Sequence, residues 1–372
     1  MCGLTGGIEL AKKEVINIGV IGAGFARTTQ IPSFRACDGA RVVVVASRTR
    51  ASAERVAREF DIPVVANDWR EVVARDDVDL VSIVTPPATH AEMTLAALDA
   101  GKAVLCEKPM AMDAGETNAM RRRAREVNAF AYIDHELRFL EGRRRMRAMI
   151  YGGDIGTVRH VNFMFRADSR AVAERAWDWW SDAEMGGGAL GAIGSHAVDT
   201  FRWLLGAEVS HVSASLATHV RERPDNQSGE MRPVTTDDEA NLLVNFADSG
   251  VTEGATGTFS LSVVEAGQPL HRVEVLGSRG ALRIEDGGEL WHADVGAHEW
   301  RPIESERGDL APGMRDSGWT RGFTRFAREI VTALREGRNH VEEAATFDDG
   351  HQVQLVLDAA RRSHQEGCRI VL

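Results

Sequence analysis

Three side chains in this sequence could move a proton or meet a charged ligand: Lys108, His196 and Asp199. Lys108 stands in Ala103-Val104-Leu105-Cys106-Glu107-Lys108-Pro109, where the short apolar run reads as a buried strand. The run stops at Pro109, whose ring fixes its own φ and removes a ladder donor. In an open α/β sheet, ligands bind at the carboxyl ends of the strands. A lysine delivered to that edge, between an acid and a proline, is placed to meet one. His196 and Asp199 follow the glycine-rich stretch Gly186-Gly187-Gly188-Ala189-Leu190-Gly191-Ala192-Ile193-Gly194. Glycines there let backbone come close to a ligand, and a three-residue spacing puts the histidine and aspartate on one helix face. Such a pair could hold a metal, but no third ligand of suitable spacing accompanies it, and no metal is expected. Trp177-Asp178-Trp179-Trp180, just upstream, places three of the chain's eight tryptophans within one turn.

The elements that must position these groups are readable in order. Residues 15–21 form a near-continuous apolar run, as expected of a central parallel strand covered on both faces. Gly22-Ala23-Gly24-Phe25-Ala26-Arg27 follows at once, a turn that lets backbone approach a pyrophosphate at a helix N-terminus. Arg27 departs from the usual small residue at the last position, and Pro32 should cut or kink the helix. The second strand, Val42 to Val45, leads into Ser47-Arg48-Thr49-Arg50. An acid at that position would accept from ribose hydroxyls, whereas a serine and a guanidinium would bind a 2′-phosphate, so NADP(H) is favoured with NAD(H) possible. A third strand ends in Thr85-Pro86-Pro87, and Thr89-His90-Ala91-Glu92 has the form of a capping box opening a helix that Gly101 closes. A further helix begins near Asp113 and a strand covers 130–133. This alternation predicts a doubly wound parallel sheet, a Rossmann domain over residues 14–134.

After residue 135 a helix carries Met146, Met149 and Ile150, and alternating segments follow at 158–166, 209–220, 241–246, 252–263, 272–276 and 281–284. They read as largely antiparallel strands of an open sheet in an α/β domain over 135–345. An outer apolar face on that sheet would call for a covering subunit. Residues 224–233 read as a polar loop. A final helix at 347–364 and a short strand at 368–372 make up a closing segment, 346–372.

The composition is that of a soluble globular chain, with 44% hydrophobic and 27% charged residues. A net charge of −11 argues against nucleic acid, and the basic run Arg121, Arg122, Arg123, Arg125 falls within a predicted helix. No apolar run approaches a membrane span. The first residues, through Lys12-Lys13, lack a signal peptide's apolar core, which suggests a cytoplasmic protein with a loose extension. Cys2, Cys37, Cys106 and Cys368 are too scattered for zinc or a disulfide framework. Cys106 reads as a small buried residue ending its strand.

Taken in order, these motifs resemble the glucose–fructose oxidoreductase, inositol dehydrogenase and rhizopine-catabolism family over nearly the whole chain. The resemblance rests on the strand–glycine turn, Thr85-Pro86-Pro87 with His90, and Ala100-Gly101-Lys102 leading to Cys106-Glu107-Lys108-Pro109. It continues through Gly153-Asp154-Ile155-Gly156-Thr157-Val158 and Gly186-Gly187-Gly188 to Gly194-Ser195-His196 and Asp199. It implies an NAD(P)-dependent oxidoreductase acting on a secondary alcohol or ketone of a sugar, inositol or related polyol, in a homodimer or homotetramer. It also implies roles: Lys108 at the nicotinamide ribose and reacting hydroxyl, and His196 as acid/base. Gly22, Gly24, Phe25, Ala26, Ser47, Arg48, Thr85, Pro86, His90 and Glu107 would line the cofactor. Trp179, Trp180 and Asp199 would join His196 around the substrate. Two departures bear on substrate and proton relay: Ala192 stands where many members carry an aspartate, and Trp180 where many carry an arginine. Two other uses of such a fold differ in class, a non-catalytic nucleotide sensor or scaffold and a redox-neutral glycosidase that retains its cofactor. Net cofactor turnover against a panel of sugars, inositols and keto-sugars separates them.

Overall fold

The computed structural model describes residues 12–285 and 288–372. The expected N-terminal extension, apart from Lys12 and Lys13, and Cys2 lie outside them. Six strands, β1 (Ile16–Ile21), β2 (Ala40–Ala46), β3 (Val64–Val65), β4 (Leu80–Ile83), β5 (Ala103–Cys106) and β6 (Ala131–Ile133), pair in parallel. Their order is β3-β2-β1-β4-β5-β6, a Rossmann sheet. Val, Ile and Leu dominate because both faces are covered: Ile18, Val20, Val45, Leu80 and Leu105 are buried in one core layer, Val44, Val81, Ile83 and Val104 in the other. The crossover helices are α1 (Ile31–Arg35), α2 (Arg50–Phe60), α3 (Trp69–Val73), α4 (His90–Asp99) and α5 (Ala114–Glu126).

Three local expectations change. The helix after the glycine turn opens as a wide π-type turn at Ala26–Gln30, and α1 begins again beside Pro32, which sits in its first turn, where a missing N–H costs nothing. The capping box at α4 does not form. Thr89 lies in a 3₁₀ turn, Pro87–Thr89; its hydroxyl donates to Thr85 Oγ1 at 2.8 Å and Pro86 O at 2.9 Å, and Glu92 pairs with Arg70 at 2.5 Å. The basic run on α5 is not merely solvated: Arg121 and Arg125 reach Asp348, and Arg123 reaches Asp99.

Beyond α6 (Glu141–Tyr151) and β7 (Val158–Arg166), helix α7 (Ser195–Leu205) precedes β8 (Val209–Ala217). A small hairpin, β9 (Glu222–Pro224) and β10 (Met231–Pro233), occupies the segment expected to be an irregular loop. Asp225 shapes its turn by accepting from the Gln227 and Ser228 amides. Strands β11 (Glu239–Phe246), β12 (Thr252–Ser262), β13 (Leu270–Gly277), β14 (Gly280–Glu285), β15 (Glu289–Asp294) and β16 (Arg301–Ile303) follow. Helices α8 (Gly318–Glu336) and α9 (Phe347–Glu366) then lead to β17 (Ile370–Val371). Among the described residues the second sheet has nine strands in the order β16-β15-β14-β13-β7-β12-β11-β8-β17, antiparallel except for β12 with β7. One face, with Val161, Phe163, Leu242, Val244, Phe259, Leu261 and Val273, packs with Phe201 and Leu204 of α7 and Leu357 of α9. The outward alternates include Ser213, Ser215, Asn241, Thr258, Ser260, Asn162 and Glu274 together with Met164, Leu270, Leu276, Trp291 and the exposed Leu243. The outer face therefore mixes polar and apolar residues rather than being uniformly apolar.

The last helices tie the two parts together. Phe323, Phe326, Ile330, Val331 and Leu334 of α8 join Ile16, Ile18 and Phe34 in one core layer of the first domain. Phe323 meets Phe34 edge-on at 5.6 Å, and Phe326 stacks on Phe139 at 4.4 Å. Residues 318–336 thus complete the first core, although the sequence reading assigned them to the second unit. Helix α9 bridges both cores: Phe347 belongs to the first, while Val353, Val356, Leu357 and Ala360 belong to the second. Among the described residues no helix is long and apolar enough to cross a membrane.

Candidate active site at the carboxyl edge of the parallel sheet

The turns after β1, β2, β4 and β5 gather at one edge. Gly22 has φ +117, and a Cβ there would lie 2.1 Å from Val84 O, so only glycine fits this approach of the β1 and β4 turns. At Gly24 no atom lies within 4 Å of a would-be Cβ. That combination, a tight turn beside open space at a helix start, suits a pyrophosphate. Ala26 is buried and lets the helix pack closely, while Phe25 is 39% exposed at the rim. Ser47 and Arg48 flank the end of β2. Arg48 is exposed and makes no hydrogen bond or ion pair among the described residues, whereas Arg50 is taken by Glu54 and Asn67. Thr85 and Pro86 end β4. These residues could hold a dinucleotide. His90 could not contact one directly: it is buried, and its ring bridges Thr85 O at 2.8 Å and Pro109 O at 3.1 Å, tying the ends of β4 and β5 together.

Beyond β5, Glu107 turns inward. Gln30, from the wide turn after the glycines, donates to Glu107 at 2.8 Å and to Asp134 at 2.9 Å, and receives a bond from Ser82. Glu107 and Asp134 are buried and hydrogen-bonded to each other. Burial raises both from the ordinary carboxyl range, Asp134 further because the Glu107 charge opposes its ionisation. Two carboxyls in one dry site each favour the neutral form of the other. Lys108 is half-buried just before the cis Lys108–Pro109 bond, and its Nζ donates to Ala192 O at 3.3 Å. The lysine end and the glycine-rich segment before α7 are thereby brought together, as the spacing of neither could show.

His196 is 1% exposed in the first turn of α7. Its ring meets His135 edge-on at 5.4 Å and lies 4.7 Å from Trp319, which in turn stacks on His271 at 5.4 Å. Burial, then the charge of Lys108, holds the imidazole well below its ordinary pKa, so it is neutral in the free protein. His135 is likewise pushed down by burial, to about 4, and Glu136 is pushed up by burial and the Glu107 charge, to about 8. Asp199 shares a face with His196 as its spacing requires, but both its oxygens are taken by Arg138, at 2.9 Å and 2.5 Å. Its charge is committed to that buried guanidinium, which it neutralises.

Trp179 and Trp180 form a short turn, and Trp180 packs against the Arg170 guanidinium at 5.2 Å. Trp177 belongs to the hairpin, donating to Pro233 O at 3.0 Å. The aromatic beside His196 is instead Trp319, which no local pattern marked. The three glycines accommodate protein rather than ligand: a Cβ at Gly186 would meet Pro87 at 2.6 Å, one at Gly187 would meet Trp180 O at 2.2 Å, and one at Gly188 would meet Asp237 at 2.6 Å. They fold the tryptophan turn down onto the β4 end. His135 and Glu136 also escaped notice, although they follow β6 at the same carboxyl edge that drew attention to Lys108.

Residues 16–135 match an oxidoreductase family described as having an NAD-binding Rossmann fold, and residues 143–283 match the GFO/IDH/MocA C-terminal domain. An uncharacterised oxidoreductase of a Synechocystis strain is 29% identical over 366 residues, 96% of each chain. Levoglucosan dehydrogenase of Pseudarthrobacter phenanthrenivorans is 30% identical over 385 residues, covering 92% of this chain and 95% of the relative. A solved structure of levoglucosan dehydrogenase in complex with NADH and L-sorbose superposes with a TM-score of 0.85, at 26% identity, over 96% of this chain and 99% of that one. Both halves match in order and the alignments run nearly end to end: this chain belongs to the GFO/IDH/MocA oxidoreductase family.

Proposed function

We propose that this protein transfers hydride between a nicotinamide cofactor and a secondary alcohol or ketone of a polyhydroxylated substrate, with Lys108 and His196 as the catalytic pair. One observation carries the reading. His135 Nδ1, Glu136 Oε2, Arg143 Nε and His196 Nε2 are buried without hydrogen-bond partners, and all belong to the cluster around Lys108 and His196. Buried polar atoms in folded proteins are nearly always paired. A concentration of unpaired ones from several elements suits a ligand with several hydroxyls. The related levoglucosan dehydrogenase, solved with NADH and L-sorbose, supports the same substrate chemistry.

The turn at Gly22 and Gly24 and the ends of β2 and β4 fit a dinucleotide, whose nicotinamide would supply the hydride acceptor or donor when bound. The chain's own groups handle the proton and the charge. A neutral, desolvated imidazole at His196 takes the hydroxyl proton during oxidation and returns it during reduction. Lys108, on the strand end beside it, steadies negative charge developing on the oxygen. Burial of His196 excludes water from that transfer. Arg48, exposed and uncommitted, favours NADP(H) by offering a guanidinium to a 2′-phosphate.

Titration of NADPH and NADH into wild type and Arg48→Ala, followed by turnover assays on sugars, inositols and keto-sugars, tests both parts. NADPH should bind more tightly, and the variant should lose about 1.5–3 kcal/mol toward NADPH alone. His196→Ala should lower kcat by about 10²–10⁴-fold with cofactor affinity nearly unchanged. Equal cofactor affinities in wild type overturn the NADP(H) preference, and wild-type kcat in both His196→Ala and Lys108→Ala overturns the catalytic assignment. Tight cofactor binding with no turnover on the whole panel would mean a sensor.

A further inference from the structure

Arg143, on α6, is 2% exposed, yet no carboxylate lies within ion-pair distance of it among the described residues. Its terminal nitrogens meet neutral groups, the Thr200 hydroxyl and His271 Nε2 at 3.1 Å, and its Nε has no partner. The neighbouring buried arginines differ: Arg138 is held by Asp199 and Asp349, and Arg202 by Glu208 and Asp349. Taking a guanidinium out of water is costly unless an anion compensates it.

The surroundings show where that anion would come from. His271 stacks on Trp319, and Trp319 packs on His196, so Arg143 lies in the same wall as the catalytic imidazole. The charged and titratable groups facing it are few. Asp199 is committed to Arg138, Glu136 is protonated below its raised pKa of about 8, and His271 is neutral, pushed by burial to about 3. Glu107 and Asp134 are hydrogen-bonded to each other beside Lys108, and burial opposes the ionisation of both. None of these groups is within ion-pair distance of Arg143, which is left without a counter-ion among the described residues.

We infer that the substrate carries a carboxylate, and that Arg143 receives it. A guanidinium edge with a free Nε matches a planar carboxylate. A phosphate dianion would bring a second charge into a site where one is needed. The assignment rests on the reading of this cluster as the substrate site, and it narrows the substrate class to hydroxylated acids such as oxidised sugars.

The test uses the full chain with NADPH bound, and probes that differ in one group: D-glucuronate and D-galacturonate against D-glucose and D-galactose, at matched ionic strength. Calorimetry and thermal shift are read for wild type, Arg143→Met and Arg143→Lys. The uronates should bind wild type about 10- to 100-fold more tightly than the neutral sugars, the range expected of a charge-assisted contact. Arg143→Met should lose that preference, the uronates falling to the affinity of the neutral sugars for the same variant, and Arg143→Lys should keep part of it. The ligand-free Arg143→Met protein should melt no lower than wild type, because an uncompensated ion is gone; a structural arginine would give a lower melting point. Neutral sugars binding wild type as well as the uronates overturns the inference, as does a uronate preference that survives Arg143→Met. Glucose 6-phosphate binding more tightly than either uronate overturns the choice of carboxylate. Turnover of neutral sugars with no preference for acids sinks this inference alone, and silence from every probe sinks the substrate-site reading with it.

Discussion

Replacing Asp199 with asparagine separates a structural ion pair from a substrate ligand. The carboxylate makes two bonds to Arg138, at 2.9 Å and 2.5 Å, with the two side chains 3% and 6% exposed. Removing one partner of a buried pair typically costs about 3–5 kcal/mol, because the other charge is left uncompensated. Asp349 lies 3.4 Å from the same guanidinium and retains part of the compensation, which puts the loss at the lower end, about 3 kcal/mol. With an unfolding entropy of about 2.1 cal/mol/K per residue, 372 residues give roughly 0.8 kcal/mol/K, so Tm should fall by about 4 °C. Calorimetry on Asp199→Asn and on Arg138→Met checks this, and the double variant should recover part of either single loss. An Asp199→Asn protein with unchanged Tm and a raised KM would refute the argument and restore the aspartate to the substrate.

Two further outcomes follow from the same geometry. Glu136 has its folded pKa raised from 4.5 to about 8, so the folded state holds more protons than the unfolded state between those values, and stability falls as pH rises across that window. Glu136→Gln should flatten this fall and be relatively more stable at pH 8 than at pH 5, and urea melts at both pH values would show a constant difference if the carboxyl were not buried in the acid form. Gly22→Ala should destabilise the first domain and abolish cofactor binding, since φ +117 and a contact at 2.1 Å leave no room for a Cβ; retained nicotinamide binding by calorimetry would contradict the turn geometry.

The parallel sheet and the positions of Gly22, Gly24 and Lys108 were legible because each depends on local chemistry: apolar runs, φ-permissive turns, and a proline that stops a strand. Seven of the nine strands of the second sheet were legible from their alternation, to within a few residues, while β15 and β16, short and at the sheet's edge, were not. The site itself was half-legible. Spacing put Asp199 beside His196 but could not reveal that Arg138, sixty-one positions earlier, consumes it. Arg143 reads as one more charge on a basic helix, and only burial without a counter-ion distinguishes it. The glycines of 186–188 advertised a close approach without saying that protein would make it. Helix α8 carries Phe323, Phe326, Ala327, Ile330 and Leu334 on one face, a pattern that marks a helix without naming what it covers. Its partners, Phe34 and Ile16, are about three hundred residues away and no periodicity names them.

That long return has a consequence during synthesis. The flank of the first sheet that α8 covers stays open from the moment β6 is made until residues 318–336 leave the ribosome. At about 5–20 residues per second, the intervening stretch of nearly two hundred residues takes roughly 10–40 s. Throughout that interval Phe34 and its neighbours face solvent or a chaperone. A nascent cofactor domain of this kind cannot mature early and wait for the rest; it must remain soluble while incomplete, and slow translation between β6 and α8 would lengthen its exposure to aggregation.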